Sequence, residues 1–130
     1  MTTTTKYDLL VKGGRVIDPA NNVDGVFDVA IAGRYVSAVE KDISPGLARK
    51  VADVSGLIVT PGLIDLHAHF YGYFAAVLPD AHCLSEGTTT AVDAGGTGHL
   101  TFDDFDRKII SKSKTNVFAL INITGEGMVG

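Results

Sequence analysis

Two histidines one residue apart, His67-Ala68-His69, carry the clearest chemical potential in this sequence. On a β-strand, residues i and i+2 point to the same face, so both imidazoles project together. Zinc and similar divalent ions accept imidazole nitrogen readily, so the pair can hold one ion between them. The spacing alone is equally that of two surface histidines or two histidines hydrogen-bonded within a core. The context narrows the choice. The pair ends an apolar run, Leu63-Ile-Asp-Leu-His-Ala-His69, and a loop-like stretch with Tyr71, Gly72 and Tyr73 follows. Parallel β/α proteins place their sites at that end of a strand.

The elements that position this pair divide at Pro61. Before it, short strands alternate with turn signals. Tyr7–Lys12 and Arg15–Asp18 flank Gly13-Gly14, and 26–31 and 35–39 flank Ala32-Gly33-Arg34. Lys50–Val54 and Leu57–Thr60 flank Ser55-Gly56. Three successive hairpins of this kind predict a small antiparallel β-sandwich over residues 1–61. After Pro61-Gly62 the pattern becomes strand–helix alternation. Apolar strands are expected at 63–69, 88–94 and 116–123, with helices at 80–86 and 101–112. Asp80 stands as an N-cap and Gly87 as the C-terminal stop of the first helix. Thr101 and Asp104 have capping-box spacing in the second, whose apolar face is Phe102, Phe105 and Ile109. Strands separated by helices imply parallel β/α units. The fold class is therefore α/β, a β-sandwich segment followed over 62–130 by three β/α units of a larger sheet.

Composition excludes several classes. The chain has 130 residues, a formal charge of −4 and no basic stripe, which argues against nucleic-acid binding. One cysteine, Cys83, excludes an internal disulfide framework, and its setting is that of a small buried apolar residue. Met1–Lys6 lacks the apolar core of a secretory signal, and no apolar run approaches the roughly 18 residues of a membrane span. A cytoplasmic protein without membrane partners is expected.

The motifs point further. Pro61-Gly-Leu-Ile-Asp-Leu-His-Ala-His69 resembles the first barrel strand of the amidohydrolase superfamily, with its Pro-Gly-apolar-apolar-Asp-x-His-x-His signature. Glu86-Gly-Thr-Thr-Thr-Ala-Val-Asp-Ala-Gly95 is similar to that family's second strand. Thr101–Phe105 and Asn122-Ile-Thr-Gly125 resemble its deacetylase, D-aminoacylase and dihydroorotase-related branch. The resemblance implies the start of a (β/α)8 TIM-type barrel over 62–130, following a β-sandwich platform over 1–61. It implies one or two divalent metal ions, zinc above all, with His67 and His69 as metal ligands and Asp65 in support of them. It places the remaining ligands and the proton-handling acid on later strands that have no counterpart here, so no catalytic residue is identifiable in the chain. The 68 residues from Leu63 onward suit three strands of a barrel that takes about 250. This is expected to be the N-terminal part of the enzyme, inactive by itself.

His99, in the loop after the second strand, and Asn122, at the end of the third, are candidates for substrate contact. Asp93 is expected to bond a loop rather than to react. Dihydroorotases usually place an arginine just after the second histidine. Here Phe70-Tyr-Gly-Tyr-Phe74 follows, and the next arginine is Arg107. That favours a small acylated amide or ester with an apolar part, cleaved by metal-assisted hydrolysis, in which the ion lowers the pKa of water and polarises the carbonyl. A homo-oligomer is compatible with these features. The competing reading is a stand-alone β-rich binding or assembly module without catalysis.

Overall fold

The computed structural model describes residues 5–128, and the chain falls into two compact units, 1–61 and 62–130. Together they are mixed α/β, mostly strand, in two separate sheets. No helix of the described residues is long and apolar enough to cross a membrane.

The first unit is one five-stranded mixed sheet built on β1 (Tyr7–Asp18). β2 (Val23–Ala32) pairs with it antiparallel, and β3 (Tyr35–Glu40) pairs antiparallel with β2. β4 (Ala48–Asp53) and β5 (Ile58–Val59) both lie parallel to β1, along its first and second halves respectively. The expected sandwich of three hairpins is thus corrected at two points. Gly13-Gly14 does not turn the chain back. Gly13 alone takes positive φ (+81°), making a bulge between Val11 and Gly14 through which β1 continues. Gly14 has no room for a side chain, since a Cβ there would stand 2.7 Å from Val59 and 2.9 Å from Val54. The reversal comes later, at Pro19–Asn21, with Asn22 in the left-handed region. Likewise β4 and β5 do not pair with each other but step along β1 through the Val54–Leu57 turn.

Tyr7, Leu10, Ala30 and Ile43 form the buried cluster of this unit. Beside it sits a buried acid, Asp28, which accepts hydrogen bonds from Lys12 Nζ (2.8 Å) and from the amides of Gly13 (2.8 Å) and Ile43 (2.9 Å). Burial opposes ionisation of this carboxyl, but the Lys12 ammonium and the two amides outweigh it and hold its pKa below the ordinary value.

The second unit is a three-stranded parallel sheet in the order β6 (Leu63–Ala68), β7 (Thr88–Gly98), β8 (Asn116–Asn122). α1 (Pro79–Cys83) and a 3-10 turn at Leu84–Glu86 connect the first pair, and Gly87 closes this segment with φ +74°. α2 (Phe102–Lys108), extended by a 3-10 turn at Ile110–Lys112, connects the second. Ala68, Phe70, Cys83, Ala91, Phe105 and Val117 make the core, so both helices bury a side chain against the sheet. Cys83 is buried, as its composition suggested, and burial raises its thiol pKa.

Two expected caps are used otherwise. Leu78, not Asp80, precedes α1; the Asp80 carboxylate instead accepts the amides of Lys114 (2.9 Å) and Thr115 (2.9 Å) just before β8. Thr101 occupies the N-cap position of α2 without a capping bond, because its hydroxyl meets Thr97 (2.8 Å) and the Glu126 carbonyl (3.0 Å).

Replacing Asp28 with alanine would leave two amides without their acceptor and the Lys12 ammonium with the Ile43 carbonyl (3.3 Å) but no counter-charge there. We expect a loss of about 3 kcal/mol, read from urea unfolding. Since the native carboxyl pKa is lowered, this contribution is complete above the unfolded value of about 3.9. It fades as pH falls through that value towards the native one, so the gap between wild type and Asp28→Ala should narrow in acid.

Candidate functional site

Asp65, His67 and His69 leave β6 in an irregular stretch. Asp65 pairs with Ala91 and Ala68 with Asp93, so two residues of β6, Leu66 and His67, stand opposite Val92 alone. The Asp65 carboxylate accepts the His67 amide at 2.9 Å, which gives that bulged donor a partner within its own strand. His67 and His69 meet edge to face, with ring centroids 5.3 Å apart. His67 is exposed and His69 half-buried. His69 Nδ1 is buried with no hydrogen-bond partner. Two neighbouring imidazoles, one with an unpartnered ring nitrogen, fit the donor chemistry of a divalent ion. Among the described residues there is no group of three or more His, Cys, Asp or Glu side chains that could enclose one.

The loop beyond His69 divides its two tyrosines between different tasks. Tyr73 lies against the His69 ring, centroids 5.4 Å apart, and against Phe74, 4.7 Å apart. Tyr71 turns towards α2, where its ring packs on Phe105 (5.2 Å) and its hydroxyl donates to Asp104 at 2.7 Å. Asp104 also receives Lys108 (2.7 Å) and Arg107 (2.6 Å). The Lys108, Tyr71 and Arg107 donors hold its carboxyl far below the ordinary range, while the bond to Asp104 raises the Tyr71 phenol. This acid carried a capping-box expectation; it latches the histidine loop to α2 instead. No local pattern signals such a pairing, since 33 residues separate its members.

The other candidates lie at the same end of the parallel strands. Asn122, the last residue of β8, pairs in register with Gly98. Its Nδ2 donates to the Gly95 carbonyl at 3.0 Å, and its Oδ1 accepts the amide and hydroxyl of Thr124, each at 3.0 Å. The amide therefore binds the two strand exits together. His99 is exposed in the turn directly after β7. The segment after β8 folds back on that turn: the Leu100 amide bonds Gly125 O (2.8 Å) and the Met128 amide bonds Gly96 O (3.2 Å). A Cβ on Gly98 would overlap the carbonyl of Thr124, so the glycines in this stretch permit backbone to lie on backbone. Their density in the sequence was the available signal for this contact.

With the geometry in place, comparison with known proteins is informative. A dihydroorotase of Trichlorobacter lovleyi is 35% identical over 95% of this chain and 31% of its own length. A deacetylase of Enterococcus faecalis is 33% identical over 95% of this chain and 32% of its own length. A solved adenine deaminase superposes with a TM-score of 0.77 at 33% identity, over 95% of this chain and 33% of that one. The chain belongs to the amidohydrolase superfamily. No protein-family model matches it. The chain spans about a third of the length of the curated superfamily relatives it matches. A solved D-aminoacylase, 34% identical with a TM-score of 0.55 over 72% of this chain and 19% of that one, is described by its binuclear metal centre.

Tyr71→Phe keeps the ring on Phe105 and removes one of three donors to Asp104. We expect the Asp104 carboxyl pKa to rise from its depressed value towards the ordinary one, measured by carboxyl-carbon NMR titration. An unchanged pKa would mean that Lys108 and Arg107 alone set it.

Proposed function

We propose that this chain contributes the first metal-binding portion of a metal-dependent amidohydrolase that cleaves the amide or ester bond of a small acylated substrate. The observation that carries the reading is the His67–His69 pair at the carboxyl end of the first parallel strand, rings 5.3 Å apart, with a buried unpartnered nitrogen on His69. Three parallel strands joined through helices suit the first three units of a (β/α)8 barrel, whose sites form at that end of its strands.

His67 and His69 would hold the ion, zinc being the best match to two imidazoles. Asp65 bonds the His67 amide and so fixes the backbone from which that imidazole projects. When bound, the ion supplies water activation and carbonyl polarisation. Tyr73 and the exposed Phe74 offer the acyl portion an apolar wall beside His69. The absence of an arginine after His69 disfavours a substrate gripped by its carboxylate at this place, and the similarity to a deacetylase and a D-aminoacylase supports an acyl group. His99 would reach substrate from the turn after β7. Asn122 serves that region through its bond to Gly95 rather than through a free amide. The proposal extends to a cytoplasmic protein, possessing a small-molecule substrate and neither nucleic-acid nor membrane partners, that can assemble as a homo-oligomer.

The test is an assay of the protein as expressed from its own gene. Its substrates are N-acetyl amino acids, an acetate ester and dihydroorotate, each with zinc and after chelation. We expect acyl substrates to be hydrolysed only with metal present and dihydroorotate to be spared. Alanine at His67 or His69 should lower kcat/KM by about 1,000-fold or more and reduce metal content. The 130-residue chain alone should bind zinc weakly and turn nothing over. Unchanged metal content on losing either histidine would overturn the reading in favour of a binding module.

A further inference from the structure

The carboxylate of Asp93, on β7, is fully buried. Such a group is costly unless its oxygens meet donors. One oxygen accepts the Phe70 amide at 2.7 Å and the other the Gly96 amide at 2.6 Å. Both are short, charge-assisted bonds. They run to different segments: Phe70 directly follows His69, and Gly96 lies where β7 breaks register with β8. The approach needs glycine, since a Cβ on residue 96 would stand 2.6 Å from Asp93 Oδ1 and 2.5 Å from the Tyr71 carbonyl. The Phe70 side chain is itself buried in the core, and Tyr71 is tied to Asp104.

Meanwhile no hydrogen bond reaches His69 Nδ1. The direction of that imidazole is set by the packing of His67 and Tyr73 on its ring and by where its backbone leaves β6, a point held by the Phe70 amide on Asp93 and by the Val77 amide on the His69 carbonyl (3.1 Å).

We propose that Asp93 is the positioning residue for His69: its carboxylate clips the exit of β6 to the exit of β7 and so fixes the imidazole in the place where, with His67, it binds metal. This rests on the metal-binding reading above. Asp93 touches neither the ion nor the substrate in this role. Partners that orient a ligand in this way typically change metal affinity by 10–100-fold.

The experiment is a zinc titration of the protein as expressed from its own gene, in competition with a chelator and followed through the Cε1–H resonances of His67 and His69 by NMR. Asp93→Asn keeps the side-chain size but loses the charge and one acceptor oxygen. It should weaken zinc binding by about tenfold or more. Asp80→Ala removes a carboxylate–backbone clamp at the amino end of β8 and should lower Tm while leaving zinc affinity unchanged. Gly96→Ala presses on the Asp93 carboxylate from the other side and should also weaken zinc binding, which carries the test if Asp93→Asn does not fold. Wild-type zinc affinity in Asp93→Asn or Gly96→Ala, or equal weakening in Asp80→Ala, would overturn the clip alone. No zinc-dependent shift of either histidine in the unsubstituted protein expressed from its own gene would overturn the metal reading and the clip's role together.

Discussion

Strands that run side by side in the same direction cannot be joined by a tight turn; each must return through a crossover. That constraint sets everything chemical in the second unit. Because β6, β7 and β8 are parallel, their carboxyl ends share one edge. His69 follows β6 there, the glycine-rich end of β7 lies beside it, and Asn122 closes β8. Had β7 run the other way, its amino end rather than its glycine-rich end would lie beside His69. The helices supply the return path and the burial that stabilises it, through Cys83 and Phe105 against Ala68, Ala91 and Val117.

Both units fasten their irregular points with the same physical device. In the first, Asp28 is buried beside the β1 bulge and binds the Gly13 amide. In the second, Asp93 is buried beside the β7 irregularity and binds the Gly96 amide. A carboxylate can bring two segments together because each oxygen accepts from a different one, and glycine lets the backbone come close enough. The difference is in what balances the charge. Asp28 has the Lys12 ammonium at 2.8 Å beside its two backbone amides, whereas both bonds to Asp93 come from backbone amides. Amides point along fixed directions, so Asp93 constrains geometry more tightly than a flexible lysine could.

The parallel alternation, the histidine pair and the Gly87 stop were legible in the sequence because each follows from local pattern. The strand periods, a His-x-His step and a glycine after a helical run need no distant partner. The failures share a cause. Gly13-Gly14 reads as a turn, but Val54 and Val59, some forty residues on, pack where a turn would need space. Asp80 and Thr101 read as caps, but Thr115 and Glu126 recruit them. Asp104 has capping-box spacing, yet Tyr71 binds it with a 2.7 Å hydroxyl bond and a half-buried ring packed on Phe105. At Asp80, Thr101 and Asp104 a polar group that local rules assign to its own helix was taken by a tertiary partner.

A tetrahedral zinc site takes four donors, and catalytic sites keep one position open for water or substrate. The described residues bring two imidazoles together and no group of three, which is half of such a donor set. The sheet shows a matching deficit. Leu63, Ile64 and Leu66 on one outer strand and Phe118, Leu120 and Ile121 on the other are exposed, Leu66 by 71% and Phe118 by 61%. Such exposure is unusual for a parallel sheet, which is ordinarily covered on both faces. Metal coordination and apolar burial are independent physical demands, yet both are half met, and by the same strand: His67 and His69 belong to the run that also presents Leu63, Ile64 and Leu66. A surface laid over β6 would therefore also limit access to the histidines. Desolvating that strand would lower the local dielectric around the pair, so burial of its leucines and the electrostatics of its imidazoles are coupled through one surface.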